Sequence, residues 1–231
     1  ANLNVGAATL GRWATTQNTS EANTAFLAKD GSNNAVALQF TASAAASSEA
    51  AGTGTLASQG ATSVYLVNSA QTLTANLTID SLASQNDVIL NNGAVLTLTS
   101  GGLIMRNAEH WIQTSTGTRG SITTGLGSGE LFVTVGGLYT NAPTDDFQLR
   151  TDIINNGLTP TKLVVGGTGQ IILGNGGANS YTGGTIINSG RVQVTNDGAL
   201  GTGDVTVRPG GQLWLTNSST FARNMTLAGL G

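Results

Sequence analysis

Between Gly166 and Gly210 short apolar strands alternate with Gly, Asn and Asp turns at a nearly fixed pitch. The step in position number from Ile171 to Val192 is 21, and from Val192 to Leu213 it is 21 again. An interleaved set behaves alike: Ile186 to Val205 is 19 and Val205 to Met225 is 20. A period of about 20 residues made only of strand and turn is the signature of a β-solenoid, in which each repeat buries its apolar face against its neighbours. The expectation is an all-β, parallel β-helix, a β-solenoid with coils of about 20 residues. Coils stacked about 4.8 Å apart predict some ten to twelve coils and a rod of roughly 50 Å or more.

The rest of the chain divides unevenly. Residues 1–60 are the least regular and read as an irregular N-terminal segment or as early, distorted coils; Ala42–Ala51 is of low complexity. Residues 61–231 read as the regular β-helix. Val64-Tyr65-Leu66-Val67 is a continuous apolar run, whereas 73–79 and 95–99 alternate with period two, one face in and one out. The outward Thr residues are β-branched and suit a strand. Asn92-Gly93, Gly101-Gly102, Gly183-Gly184, Asp197-Gly198 and Gly210-Gly211 punctuate the strands as corners.

Composition fits a stacked body. Charged residues make up 9% of the chain, against about 25% in an average domain. Like charges repeated on every rung would repel, while hydroxyls and amides can form ladders. The net charge is −3 and only nine Lys and Arg are scattered along 231 residues, so no basic track for nucleic acid exists. Absence of cysteine removes disulfides, zinc thiolates and thiol nucleophiles. No long apolar run provides a transmembrane helix.

The most regular part of the repeat resembles a known family. Lys162-Leu163-Val164-Val165-Gly166-Gly167-Thr168-Gly169-Gln170-Ile171-Ile172-Leu173, then Asn179-Ser180-Tyr181-Thr182-Gly183-Gly184-Thr185, then Gly190-Arg191-Val192-Gln193-Val194 resemble the autotransporter-associated β-strand repeat, also called the passenger-associated transport repeat. Gly198 to Val207 fits its usual continuation, and the match covers about 162–215. Val164, Val165 and Arg191 depart from the small residues usual there. The resemblance implies a right-handed coil in a secreted or surface-displayed bacterial passenger, where the repeat aids export and folding.

No reactive centre is legible, and no catalytic, cofactor-binding or metal-binding residue is assigned. His110 is the one histidine and reads as a turn or stacking residue. Asp145, Asp146 and Asp152 form the densest acidic cluster, with Arg150 nearby. Such acids can hydrolyse glycans or hold calcium, but here they read as a solvated loop. Trp13, Trp111 and Trp214 could stack on sugars, but they share no obvious register and read as core or corner residues. Gly166 to Gly169 lacks the following helix and Lys-Ser/Thr of a phosphate loop and reads as a corner. Asn18, Asn76, Asn217 and Asn224 match the glycosylation pattern and read as ladder or turn residues.

The functional expectation is a non-enzymatic structural or interaction solenoid, an adhesin stalk, passenger or extracellular fibre segment at a bacterial surface. The chain closes on Thr226 to Gly231 still in strand-and-glycine rhythm, so head-to-tail pairing into a filament is the alternative, with a glycan-active β-helix behind it. Partners expected are the chain itself or adjoining β-helix segments, and a host or surface glycan or protein.

Overall fold

The computed structural model describes residues 15–16, 25–29, 35–37, 55–106, 110–127, 129–136, 146–174, 179–216 and 220–228. Within 1–60, β1 (Thr15–Thr16), β2 (Ala25–Lys29) and β3 (Ala35–Ala37) pair antiparallel into a three-stranded sheet. The Ala-rich stretch 42–51 lies outside the described residues.

From Val64 onward every pairing between named strands is parallel, and the chain winds as a β-solenoid. One sheet has ten strands: β4 (Val64–Val67), β6 (Leu77–Ser84), β8 (Val95–Met105), β10 (Ser121–Thr124), β11 (Glu130–Val135), β13 (Asp152–Ile153), β14 (Lys162–Gly167), β16 (Thr185–Ile187), β18 (Val205–Val207) and β20 (Met225–Leu227). The other has seven: β5 (Gln71–Leu73), β7 (Val88–Leu90), β9 (Trp111–Gln113), β12 (Asp146–Leu149), β15 (Gln170–Leu173), β17 (Gly190–Val194) and β19 (Gly211–Leu215).

The larger sheet bends into two walls. β6 and β8 run through the bend, and their register shifts between Ile79 and Ser81. The first half of β8 pairs with β10 and the second half with β11. The middle coils therefore have three walls. Later coils replace the third wall with the corner segments 179–184 and 197–204, where Asp197–Leu200 forms a short 3-10 turn.

One inward column shows the stacking. Tyr65, Leu82, Leu103, Val133, Val165, Ile187, Val207 and Leu227 lie over one another, with steps in position number of 17, 21, 30, 32, 22, 20 and 20. The period near 20 therefore holds at both ends and widens in the middle, where the third wall and the turns carrying Leu126 and Leu158 are inserted. Eight levels result among the described residues, fewer than the ten to twelve a uniform pitch predicts, and they span about 34 Å. In the second sheet Ile171, Val192 and Leu213 stack as their even spacing requires. The step of 19 from Ile186 to Val205 is not a register. Thr185 faces Val205 and Ile186 faces Thr206, so the true step is 20. Pairing Ile186 with Val205 would be a slip of one position, which turns a side chain to the opposite face.

The core is a narrow column of Leu, Ile and Val with few rings. Phe147, Ile171 and Val192 from one wall and Leu163, Val165 and Ile187 from another are at most 1% exposed. Each such side chain contributes about 1.5–3 kcal/mol by leaving water. The continuous apolar run of β4 has its own reason. Tyr65 and Val67 point inward, while Val64 and Leu66 lie on the outer face and are buried as well. Ala83 and Ile104, which continue the Leu66 column, are also buried. Strands covered on both faces lose the polar alternation.

Candidate functional site

The Asn-Ser-Tyr-Thr-Gly-Gly-Thr corner is where the sequence is most specific. Asn179 is 6% exposed and reaches both neighbouring coils. Its Oδ1 accepts from the Ile153 N–H at 2.7 Å, and its Nδ2 donates to the Ala199 carbonyl at 2.6 Å. Backbone bonds follow the same path: Ser180 N–H donates to the Ile153 carbonyl, Asn179 N–H to that of Gly198, and Thr202 N–H to that of Tyr181. Tyr181 is fully buried, and its hydroxyl lies 2.5 Å from Thr185 Oγ1. Burial pushes the Tyr181 phenol far above its usual range, offset in part by the Thr185 bond and by Arg223, so it stays neutral. The polar chemistry of this motif is thus used to join coils through Asn179 and to brace the corner through Tyr181 and Thr185. Tyr181→Phe removes one buried hydrogen bond while keeping the ring. The expected loss is about 1–1.5 kcal/mol in urea unfolding, and an unchanged midpoint would place the hydroxyl in solvent instead.

Side-chain ladders repeat the theme elsewhere. Thr195 Oγ1 donates to the Leu173 carbonyl, and Thr216 Oγ1 to the Val194 carbonyl, each one coil back. Asn155 Oδ1 accepts from the N–H of Thr161 and of Thr182.

The outer face of the second sheet carries larger groups. Trp111, Gln148, Ile172, Gln193 and Trp214 form one outward file. The Arg150 guanidinium lies 4.4 Å from the Trp111 ring centre, and that of Arg191 lies 5.1 Å from the Trp214 ring centre. Trp111 and Trp214 therefore share a register, contrary to their reading as core or corner residues. The long coil between Trp111 and Gln148 hides this from sequence spacing. Trp214 is 41% exposed. Trp13 lies outside the described residues.

Beside Trp214 the corner between β14 and β15, β16 and β17, and β18 and β19 forms a shallow groove of about 390 Å³. Four glycines, Gly167, Gly169, Gly190 and Gly210, line it together with Thr168, Ser189, Arg191 and Gln212. Gly167 requires its missing side chain. Its φ is +107°, and a Cβ there would lie 2.1 Å from the Val135 carbonyl oxygen. Gly166 and Gly167 close β14, and Thr168 and Gly169 make the bend into β15.

Asp146 opens β12 on the second sheet rather than sitting in a loop, and Asp152 lies in β13 on the third wall; Asp145 lies outside the described residues. Asp152 pairs with Arg119 at 3.0 Å. Arg150 instead stacks on Trp111 and donates to Gln148 at 2.6 Å. Among the described residues no three His, Asp or Glu side chains gather as a metal site. His110 lies 3.7 Å from Asp87, whose Oδ1 also accepts from the Trp111 N–H. Asn76 Oδ1 accepts from the Val95 N–H and Asn224 Nδ2 donates to Asp204, both as inter-coil ties; Asn18 and Asn217 lie outside the described residues.

No family model, curated protein or solved structure matches the chain. Among the described residues no helix is long and apolar enough to cross a membrane.

Proposed function

We propose that this chain is a rigid, non-catalytic rod segment of a secreted or surface-displayed bacterial protein, an adhesin stalk, passenger or extracellular fibre. The observation that carries the reading is how the polar groups of the corner motif are used. Asn179, Tyr181, Thr185, Thr195 and Thr216 are engaged in ties within the corner and between coils, which favours a spacer over a reaction vessel. The resemblance of 162–215 to the passenger-associated repeat supplies the surface context and the export role. Asp152, one of the acids a glycan-cleaving pair would need, is held in an ion pair by Arg119 at 3.0 Å, which weighs against that reading.

Negative-stain microscopy with light scattering over a concentration series tests the reading. The expected result is discrete rods of monomer mass at every concentration. Fibres that lengthen with concentration would replace it with the filament-subunit reading, because head-to-tail contacts that do not close propagate.

A further inference from the structure

We propose that the groove along the glycine corner, together with Trp214, is a binding site for an oligosaccharide chain laid along the rod axis. The groove crosses three successive coils, through residues 167–169, 189–191 and 210–212. Two intervals make its length about 10 Å, the direction and scale of a linear polymer rather than of a compact ligand.

The backbone argues against an anion nest. Gly167 N–H donates to Ser189 Oγ, Thr168 and Gly169 N–H to the Val135 carbonyl, Arg191 N–H to that of Gly169, and Gly211 N–H to that of Arg208. These amides, which a phosphate would need, are already committed. The side chains along the groove are Thr168, Ser189, Arg191 and Gln212; Ser189 Oγ accepts from Gly167 N–H and can still donate, and Gln212 Oε1 accepts from Arg191 while its NH2 can still donate. Hydroxyls and amides both donate and accept, which matches sugar hydroxyls. Glycine along the groove lets a chain approach the backbone closely.

Arg191 is pre-organised. Its Nε donates to Gln212 Oε1, its Nη1 to Gln170 Oε1 at 3.4 Å, and its guanidinium lies over one face of the Trp214 ring. Trp214, two positions beyond Gln212 on the same strand and 41% exposed, offers a pyranose ring the part of its indole that Arg191 does not cover. Among the described residues no carboxylate lines the groove, so the site holds a glycan without a general acid to cut it. This reading does not rest on the rod's cellular address: a filament subunit would carry the same groove.

The test is native gel electrophoresis of the full chain in gels containing xylan, dextran or polygalacturonate. Retardation by at least one of them is expected. Trp214→Ala and Gln212→Ala should each weaken that retardation about tenfold, equivalent to about 1.4 kcal/mol. Both variants lie on the outer face and are expected to keep the melting temperature of the parent chain. Absence of retardation by all three polysaccharides overturns the proposal. So does retardation that either variant leaves intact, and so does a polygalacturonate shift that salt alone removes. The rod reading is judged separately by the microscopy, so either can fail without the other.

Discussion

Replacing Gly167 with Ala is expected to destabilise the rod by about 2–6 kcal/mol, with Gly60→Ala within about 0.5 kcal/mol of the parent. Two costs combine at Gly167. Its φ of +107° lies where an L side chain is strained by about 1–3 kcal/mol. The added Cβ would also meet backbone of the adjacent coil, 2.1 Å from the Val135 oxygen and 2.8 Å from the Val135 nitrogen. Backbone held by parallel pairing between β11 and β14 cannot step aside as a flexible side chain could, so an overpacking cost of about 1–3 kcal/mol adds to the strain. At Gly60 a Cβ meets nothing within 4 Å and φ is not positive. Urea unfolding followed by far-UV circular dichroism reads both. A solenoid is coupled only between neighbouring coils, so damage at one coil should also broaden or split the Gly167→Ala transition. A sharp, unshifted transition for that variant would mean the corner does not pack on Val135.

How far the sequence reveals this molecule depends on which residues one follows. Ile171, Val192 and Leu213 stack at their sequence spacing because the coils that hold them have short corners. Leu103, Val133 and Val165 stack equally well, but their steps are half as long again and cannot be seen as the same repeat. The third wall and its turns lengthen those coils, and Leu126 and Leu158 stand exposed on the turns. A pitch taken from the regular half therefore overcounts the coils. The same effect conceals the outer file. Trp111 and Trp214 belong to one column, yet the long stretch separating Trp111 from Gln148 looks like an unrelated segment. The corner groove is half legible. Gly167, Gly190 and Gly210 announce a turn, but that Arg191, Gln212 and Trp214 meet beside it follows only from the parallel register of β17 and β19. The acidic cluster misleads for the opposite reason. Asp146 and Asp152 are close in the chain, and a strand with its corner carries them to different walls.

Asn179 offers the sharpest test of the corner motif, because one side chain holds three coils. Asn179→Ala leaves the Ile153 N–H and the Ala199 carbonyl without their partner in a region where Asn179 itself is 6% exposed. Each buried group left unpaired costs about 1–3 kcal/mol, for an expected loss of about 2–6 kcal/mol in urea unfolding. Asn179→Asp separates the two bonds. The Oδ1 position still accepts from Ile153, but the atom facing the Ala199 carbonyl becomes an acceptor. A buried carboxyl there is favoured in its protonated form, which can donate to that carbonyl, so its folded pKa lies above the unfolded value of about 3.9. A group raised in the folded state stabilises below its unfolded pKa and loses that contribution as pH rises through the folded pKa. The Asn179→Asp variant should therefore approach the parent's melting temperature at about pH 4 and fall progressively behind it toward pH 7, while Asn179→Ala stays behind by the same margin throughout. Parallel pH curves for both variants would show that Ala199 is not the partner of this side chain, and would leave the tie to the following coil to the backbone bonds from Asn179 to Gly198 and from Thr202 to Tyr181.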